Sequence, residues 1–379
     1  MNPRLLLDYC KSKLDAMLRD LRRAVEIESP SDSKPAVDRM AAFFADECRR
    51  LGGLVELSSH QSAGAALTAE FWSAHHPAKP LLILGHTDTV WSLGTLPQMP
   101  FRVQNGRAYG PGILDMKAGI VCGLWAIRAM RQAGIQPGSP VRLFLNSDEE
   151  RGSTAFRSRI MAEARRARAC LVLEPAAQGG ALKTARKGVG VFQLVAEGRM
   201  AHAGINPAAG VNAISELAHQ LVHLEKLARS SSSLTLNVGV IEGGTRPNVV
   251  PERAAARVDV RVATVRDGER ITRQLRGLKP VLPGAKLRIS GGINRQPMER
   301  RMAQVLFEHA RQLGVQLGMK LKEASTGGGS DGNFSAALGI PTLDGLGAVG
   351  DGAHARHEYV TVRDLPRRAA LLAALLATI

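Results

Sequence analysis

Aromatic residues and long apolar runs are both scarce in this sequence. Phe, Trp and Tyr make up 4% of its 379 residues, so a hydrophobic core must be built mainly from Leu, Val, Ile and Ala. There is no stretch of about 18 apolar residues, and the first apolar run, 5–7, is far shorter than the core of a signal peptide. We therefore expect no membrane span and no secretory leader.

Cysteine is scarce as well. The four cysteines stand alone, with no close pair that would indicate a metal knuckle or a redox motif, at positions 10, 48, 122 and 170. Isolated cysteines are typical of proteins from reducing compartments. The sequence therefore favours a cytoplasmic protein.

Acidic residues are outnumbered by basic ones, 34 to 50, which gives a net charge of +16. Such a surplus can neutralise phosphates and raises the possibility of a nucleic-acid partner. The basic residues are instead spread over predicted helices, and no zinc finger or aromatic RNA-binding motif accompanies them. The pattern disfavours nucleic acid and leaves two readings, attraction of a small anionic substrate or a solvated surface.

Hydrophobic periodicity predicts an α/β fold with a mostly parallel sheet. The short continuous apolar run at 81–84 is typical of a strand that is covered on both faces, and 141–145 and 170–174 are predicted to be further strands. Helical spacing predicts helices at 5–28 and 35–51, before the first of these strands, and at 116–133, between the first and the second, as in parallel α/β proteins.

The pattern changes near residue 187. Strands of alternating character are predicted at 190–198, 234–244 and 256–263, with helices near 211–229 and 267–276. We infer a discontinuous catalytic domain, 1–186 and 296–379, interrupted by a small α+β domain over 187–295.

Acidic and histidine side chains follow the three predicted buried strands. His86 and Asp88 come after the first strand, Glu149 and Glu150 after the second, and Glu174 after the third. Because ligands bind at the carboxyl ends of strands in α/β sheets, these side chains can converge on one cleft. The carboxylates would repel one another unless a cation lay between them, and a mixed set of histidine and carboxylate suits zinc or a similar divalent ion.

Each pattern also has a simpler explanation. Glu149 and Glu150 could start a solvated helix, where the helix dipole favours acids. Asp115 in GPGILDMKAG could merely cap the helix that follows it. Their common placement at strand ends, followed by a late His354, favours the metal site.

Eight distinctive motifs are spread over the sequence: GHTDTV at 85–90, GPGILDMKAG at 110–119, SDEERGS at 147–153, LEP at 173–175, GRMAHAG at 198–204, GGTRPNVVP at 243–251, TGGGSDGNF at 326–334 and HARHEY at 354–359. Through these motifs the chain resembles the dizinc aminoacylase, acetylornithine deacetylase and carboxypeptidase G peptidases over nearly its whole length. The stretch TGGGSDGNFSAALGIPTLDGLG is most similar to the glutamate carboxypeptidase branch. The resemblance implies a dizinc peptidase domain, an inserted domain that serves as lid and dimerisation domain, and a homodimer.

The resemblance also implies a set of metal ligands for two divalent ions, expected to be zinc. Asp115 would bridge both ions through a carboxylate that precedes a cis peptide bond to Met116. His86 and Glu174 would complete one site, and Glu150 and His354 the other. His357 is the rival of His354, but His354 stands four residues before Glu358, as the family pattern requires.

Catalytic roles follow from the same resemblance. Asp88 would accept the remaining N–H of His86 and fix its tautomer. Glu149 would act as general base towards the attacking water and pass the proton to the leaving amine. His202 would stabilise the developing oxyanion in the other subunit of the dimer. Without the resemblance, His202 would be assigned as a local turn residue.

The substrate is the least constrained feature of the sequence. Asn248, Arg295 and the backbone of Gly327 and Gly328 are expected to hold it, although glycine-rich loops also occur as plain tight turns. The expected reaction is hydrolysis of the amide bond of an N-acyl amino acid or short peptide with a free C-terminal carboxylate, releasing glutamate.

Three alternatives to this reaction remain. One is an aminoacylase or dipeptidase of other side-chain specificity, and another is a binding protein that has lost catalysis. The third is a carbamoyl-amide hydrolase, which usually has a histidine where this chain has Glu174.

Overall fold

The computed structural model describes residues 2–74, 76–229 and 231–379. The chain divides into two compact units. The first unit comprises the residues up to Ala185 together with Arg300–Thr326 and Ser330–Ile379, and the second comprises Arg186–Glu299 and Gly327–Gly329. The glycines at 327–329 thus belong to the second unit, which the boundaries predicted from the sequence do not anticipate.

The described residues contain ten α-helices, numbered in chain order. They are α1 (Pro3–Ser12), α2 (Leu14–Val25), α3 (Lys34–Arg50), α4 (Ala118–Gln132), α5 (Arg157–Arg166), α6 (Ala213–Arg229), α7 (Val265–Arg276), α8 (Gln304–Gln316), α9 (Gly332–Ala337) and α10 (Leu365–Thr378). None of the helices in this described part combines the length and the apolar character needed to cross a bilayer.

The strands are also numbered in chain order. They are β1 (Leu54–Ser58), β2 (Ala66–Phe71), β3 (Leu81–His86), β4 (Arg102–Gln104), β5 (Arg107–Tyr109), β6 (Val141–Asn146), β7 (Ala169–Val172), β8 (Leu182–Arg186), β9 (Gly188–Glu197), β10 (Ala201–His202), β11 (Leu234–Gly243), β12 (Val249–Val250), β13 (Arg253–Val262), β14 (Lys286–Arg295), β15 (Glu323–Thr326), β16 (Thr342–Leu343), β17 (Gly350–Asp351) and β18 (Tyr359–Thr361).

The first unit is built on a six-stranded sheet of order β1-β2-β6-β3-β7-β16. Strands β6, β3, β7 and β16 run parallel to one another, whereas β2 pairs antiparallel with both β6 and β1 at one side of the sheet. The predicted mostly parallel α/β sheet is confirmed. The carboxyl ends of β6, β3 and β7 therefore meet at one edge of the sheet.

Burial on both faces explains the continuous apolar run of β3. Leu81 and Ile83 join a large core with residues of α1, α4 and α10 on one face of the sheet. Leu82 and Leu84 join a smaller core with Phe144 and residues of α5 on the other face. A strand that has no solvated face needs apolar residues at every position, which is the pattern read from the sequence.

The second unit has a four-stranded antiparallel sheet of order β11-β13-β9-β14. Alternate residues of β9 are buried, and Phe192, Leu194 and Ala196 pack with Leu217 and Ile271 of the two helices. One face of the sheet is thus covered by α6 and α7, as in an α+β domain.

One predicted helix differs from the observed elements, and one strand of the second unit was not predicted. The helical pattern over 5–28 is divided at Lys13 into α1 and α2. Strand β14 was not predicted. Its first half places apolar residues between charged or polar ones, and its second half contains Gly291, whose φ is 93°.

Candidate metal centre

Three parallel strands carry acids or histidine at or just beyond their carboxyl ends. His86 is the last residue of β3, and Glu174 lies two residues beyond β7. Glu149 and Glu150 lie in a short 3₁₀ turn, Glu149–Arg151, which follows β6. Because the three strands are parallel neighbours, their terminal side chains are brought to one place.

Asp115 reaches the same place from the turn before α4. The turn begins at Gly112, where φ is 67° and a Cβ atom would lie 2.5 Å from Thr89 Cγ2. Both the left-handed backbone and the close approach therefore require glycine at this position. The peptide bond from Asp115 to Met116 is cis, as the resemblance implied.

His354 comes from the loop between β17 and β18. Its Nε2 atom lies 3.2 Å from Glu150 Oε1 and 3.4 Å from Asp115 Oδ2. The rival His357 packs instead against Gly352, where a Cβ atom would lie 2.8 Å from His357 Cδ2. The geometry therefore favours His354 over His357 as a ligand.

The two histidines face different oxygens of Asp115. His86 Nε2 lies 3.2 Å from Asp115 Oδ1 and 3.6 Å from Glu174 Oε1. His354 meets the other oxygen, Oδ2, beside Glu150. The first half-site therefore consists of His86 and Glu174, and the second of Glu150 and His354. The two half-sites share the carboxylate of Asp115, which is the geometry that a bridging ligand requires.

Glu149 is close to the first half-site. Ligand atoms of His86, Glu149 and Glu174 lie within 4.8 Å of one another, and so do those of His86, Asp115 and Glu150. Glu149 thus has a position from which it can either exchange a proton with a ligand in the cleft or contact a cation directly.

The electrostatics of the cluster favour bound cations. Contacts with Asp115 and Glu150 raise the pKa of His354 to about 10. Burial lowers the pKa of His86, but contacts with Asp115 and Asp88 outweigh burial and raise it well above its usual value. Both imidazoles thus sit in a strongly negative environment, which a divalent cation would neutralise. The imidazole and carboxylate donors fit two zinc-like ions.

Asp88 lies behind this cluster and is fully buried. Its Oδ1 accepts the backbone N–H of Glu149 at 3.1 Å, and its Oδ2 accepts that of Glu150 at 3.2 Å and the hydroxyl of Ser31 at 2.7 Å. One carboxylate therefore holds the turn that carries both glutamates.

The contact between Asp88 and His86 differs in detail from the one expected. His86 Nδ1 is 2.9 Å from the backbone oxygen of Asp88 and 3.4 Å from its carboxylate, so the backbone oxygen is the nearer acceptor. The carboxylate is already engaged by the N–H groups of Glu149 and Glu150. A proton on Nδ1 leaves Nε2 with its lone pair free to bind a metal.

The remaining predicted residues lie in the second unit. His202 is exposed, and its Nδ1 accepts the N–H groups of Gly204 at 3.1 Å and Ile205 at 3.2 Å. Since Nδ1 is an acceptor in both contacts, the proton of the neutral ring is on Nε2, which is then a donor. Asn248 is a neighbour, because its backbone oxygen accepts the N–H of Ala203 at 3.0 Å.

Arg295 ends β14 in the same unit and is buried. It packs beside Gly329, where a Cβ atom would lie 3.4 Å from Arg295 Cδ. Arg186 donates to the backbone oxygens of Gly328 and Gly329 at 3.1 Å each. The glycine-rich segment therefore lies beside two buried guanidinium groups.

Sequence reasoning gave no role to two buried carboxylates of the first unit. Asp331 accepts from Asn146 Nδ2 at 2.8 Å and also from Ser153 Oγ, so it ties together the two ends of the segment that carries Glu149. Glu358 accepts three backbone N–H groups of the 112–115 turn and the indole N–H of Trp91. The only signal in the sequence was the occurrence of both acids inside the quoted motifs.

Comparison with known proteins decides the family. Residues 82–378 match the sequence profile of peptidase family M20/M25/M40. The chain belongs to this family. It is accordingly a metallopeptidase, a hydrolase whose chemistry depends on bound metal.

Individual relatives agree with this membership. Carboxypeptidase G2 of Pseudomonas sp. (strain RS-16) is 29% identical over 372 residues, which cover 95% of this chain and 88% of the relative. A succinyl-diaminopimelate desuccinylase of Verminephrobacter eiseniae (strain EF01-2) is 26% identical over 308 residues, covering 76% of this chain and 75% of the relative. Family members thus include both carboxypeptidases and deacylases.

Solved structures show the same fold. Aminopeptidase PepT from Bacillus cereus ATCC 10987 superposes with a TM-score of 0.79 at 20% identity, covering 96% of this chain and 98% of that one. The metallo-carboxypeptidase Sso-CP2 from Sulfolobus solfataricus superposes with a TM-score of 0.70 at 18% identity, again covering 96% and 98%. These likenesses establish the architecture and leave the substrate to be argued from the site.

Proposed function

We propose that the chain is a carboxypeptidase-type amide hydrolase that uses two divalent ions, expected to be zinc. The observation that carries this proposal is the division of the two Asp115 oxygens between His86 and His354, at 3.2 and 3.4 Å. His86 and Glu174 would hold one ion, Glu150 and His354 would hold the other, and the carboxylate of Asp115 would be shared by both. When bound, such ions supply Lewis acidity that polarises the scissile carbonyl and acidifies water.

Glu149 is the general base in this proposal. Its side chain is buried beside His86 and Glu174, and its backbone is fixed by Asp88. It takes a proton from the attacking water and delivers that proton to the leaving amine. His202 supports the oxyanion through its Nε2–H group, the donor left by the two contacts at Nδ1.

The substrate is proposed to be an N-acyl amino acid or short peptide that ends in a free α-carboxylate. Arg295 offers a planar fork that suits bidentate binding of this group, and it lies beside the glycine segment that Arg186 holds. Gly327 and Gly328 would add backbone N–H donors, and Asn248 would contact the substrate from the loop next to His202. Glutamate is the proposed leaving residue, because the stretch TGGGSDGNFSAALGIPTLDGLG resembles the glutamate carboxypeptidase branch and the chain has a net charge of +16.

The test is a comparison of benzoyl-glutamate, benzoyl-alanine, benzoyl-arginine and the α-amide of benzoyl-glutamate, with wild type and Arg295→Ala. A charge-assisted contact contributes about 1.5–3 kcal/mol, so we expect the α-amide to react roughly tenfold to a hundredfold more slowly with wild type only. Equal rates for the free acid and the amide would contradict the proposed binding of the α-carboxylate by Arg295. Faster turnover of the alanine or arginine compound would leave that binding in place and contradict glutamate as the leaving residue.

A deacylase is the second candidate, favoured by the desuccinylase relative that matches 76% of this chain. The same metal chemistry would then remove a small acyl group, with the amino acid as product. Adding N-succinyl and N-acetyl amino acids to the panel separates the two activities. A higher kcat/KM for these compounds than for any benzoyl amino acid would assign the chain to the deacylases.

We further propose a cytoplasmic homodimer that forms through the second unit. Apolar side chains are exposed on the edge strand β11 and on α6, among them Ile241 and Val222 at 58% and 54% exposure. In such a dimer His202 of one chain serves the other chain's metal centre. Mixing inactive His202→Ala and Glu149→Gln chains should restore activity, and proven subunit exchange without rescue would exclude the shared site.

A further inference from the structure

Glu358 collects four hydrogen bonds in the wall of the metal centre. Its Oε1 accepts the backbone N–H of Leu114 at 2.8 Å and of Asp115 at 3.1 Å. Its Oε2 accepts the backbone N–H of Gly112 at 2.9 Å and the indole N–H of Trp91 at 2.9 Å. An ionised carboxylate has about four acceptor sites, so these four donors, three of them in the turn over residues 112–115, use all of its capacity.

The turn held in this way is the one that presents Asp115. Three of the four donors are backbone N–H groups of residues 112–115, and the fourth comes from the segment that follows His86 and Asp88. With these N–H groups fixed, the Asp115 side chain leaves the turn in one direction, with Oδ1 towards His86 and Oδ2 towards His354.

Glu358 also belongs to the loop that carries His354. The N–H of Glu358 donates to the oxygen of Ala355 at 2.9 Å, and the N–H of Ala355 donates to that of Gly352 at 2.8 Å, so the loop is a compact turn. Anchoring this loop on residues 112–115 sets the separation between His354 and Asp115. One buried carboxylate therefore joins the ligand of the second half-site to the shared ligand.

We propose that Glu358 is a positioning residue. It holds the carboxylate of Asp115 and the imidazole of His354 in their metal-binding geometry in the metal-free protein. The inference rests on the proposed dinuclear site, because it takes Asp115 as the bridging ligand. Glu358 itself contacts neither the ions nor the substrate in this proposal. It acts through the backbone of residues 112–115 and through the loop of His354.

Glu358→Gln is the informative change because it keeps the shape of the side chain. One carboxylate oxygen becomes an NH₂ group, which cannot accept, so two of the four N–H donors lose their acceptor. Loss of a group that orients metal ligands typically costs about tenfold to a hundredfold in metal affinity or activity. We expect Glu358→Gln to weaken zinc binding by this factor, and to lower kcat at saturating zinc while KM changes little.

Two further variants serve as comparisons for Glu358→Gln. Trp91→Phe removes one of the four donors, so its loss of zinc affinity should be smaller, about threefold to tenfold. Glu163→Gln is the matched control, because Glu163 is an equally buried acid of the first unit that accepts from Arg142 and Arg159. It should lower the unfolding midpoint and leave zinc affinity unchanged.

The experiment measures zinc dissociation constants by competition with a chromophoric chelator, together with thermal unfolding of the metal-free proteins and the steady-state constants. If Glu358→Gln behaves like Glu163→Gln, with a lower midpoint but wild-type zinc affinity and kcat, Glu358 is a structural acid and the proposal is wrong. If Glu358→Gln does not fold, Trp91→Phe decides, and wild-type zinc affinity in that variant overturns the proposal.

Failure of the underlying function gives a different result. Wild-type protein that binds fewer than two zinc ions, or that cleaves no amide substrate, contradicts the proposed function itself. Two ions and full activity in wild type, retained in Glu358→Gln, contradict only the role of Glu358.

Discussion

Glu149 and Glu150 are adjacent in sequence but have opposite expected roles. Glu149→Gln keeps the size of the side chain and removes the proton acceptor, so kcat should fall by about 10²–10⁴-fold. Its zinc content should stay at the wild-type value, because Glu149 is not a ligand in the proposed site. The measurement is elemental analysis beside steady-state kinetics.

Glu150→Gln is the matched control for this prediction. Glu150 Oε1 lies 3.2 Å from His354 Nε2, so loss of its charge should remove zinc from the second half-site as well as activity. If Glu149→Gln loses zinc and Glu150→Gln keeps it, the two roles are exchanged. In that case Glu149 would be a metal ligand beside His86 and Glu174, to which it lies close.

Individual site residues were predictable where each one follows a strand or stands in a distinctive motif. His86, Glu149 and Glu174 follow buried strands, and the fold brings the three together as expected. The hydrogen bonds of Glu358 were not predictable, because they depend on backbone N–H groups that converge only after the 112–115 turn has formed. Sequence spacing carries no information on the direction of such groups.

At the scale of elements, α4 approaches the end of β7 more closely than a side chain would allow. A Cβ atom at Gly119 would lie 2.2 Å from the backbone oxygen of Leu173, the residue before Glu174. A Cβ atom at Gly123, one turn later in the same helix, would lie 3.1 Å from Leu173 Cδ1, the movable end of a side chain. The same substitution at these two sites thus meets two different obstacles.

We expect Gly119→Ala to destabilise the protein and Gly123→Ala to be nearly neutral. Forcing extra volume against backbone costs about 1–3 kcal/mol, while replacing a helical glycine by alanine recovers about 1 kcal/mol. Gly119→Ala should also lower kcat, since displacing Leu173 displaces Glu174. Urea unfolding and kinetics on both variants provide the check, and equal stabilisation by both would refute the close approach.

Whether an element was predictable depends on how it is buried. The strands β3, β6 and β7 of the parallel sheet were predicted because burial on both faces gives short runs that are mostly apolar. Strand β14 has a half-exposed, charged pattern and an irregular register near Ile293 and Arg295, so it offers neither a clean alternation nor an apolar run. The break between α1 and α2 is a single residue, which helical periodicity cannot resolve.

At the scale of the whole molecule, the change of pattern near 187 and the return of helices after 296 led to the expectation of an inserted domain. The structure places Gly327–Gly329 with the second unit, far along the chain from its other residues. Arg186 supplies a reason, because it donates to the oxygens of Gly328 and Gly329. Such a contact spans about 140 positions in sequence, and no local pattern reveals it.

The four cysteines offer a test of the packing of the whole first unit, to which all of them belong. Each is a buried free thiol, and burial raises the pKa of Cys10, Cys48 and Cys122 to about 12 and that of Cys170 above its usual value. Since only the thiolate reacts, we expect no labelling of the native protein by a disulfide reagent at pH 8, and four labels after unfolding in guanidinium.

The same thiols predict how stability depends on pH. Their pKa is higher in the folded than in the unfolded chain, where it is about 8.5, so their contribution is complete below pH 8.5 and is lost as pH rises towards 12. The unfolded chain releases these protons first, so the free energy of unfolding should decrease over this window. Urea titrations of the metal-free protein at pH 7.5, 9 and 10 provide the measurement, with Cys48→Ala as the comparison. A slope that is the same in wild type and Cys48→Ala, or rapid labelling of native protein at pH 8, would mean that these thiols are accessible and that the core around α1, α3 and α4 is less closed than the structure indicates.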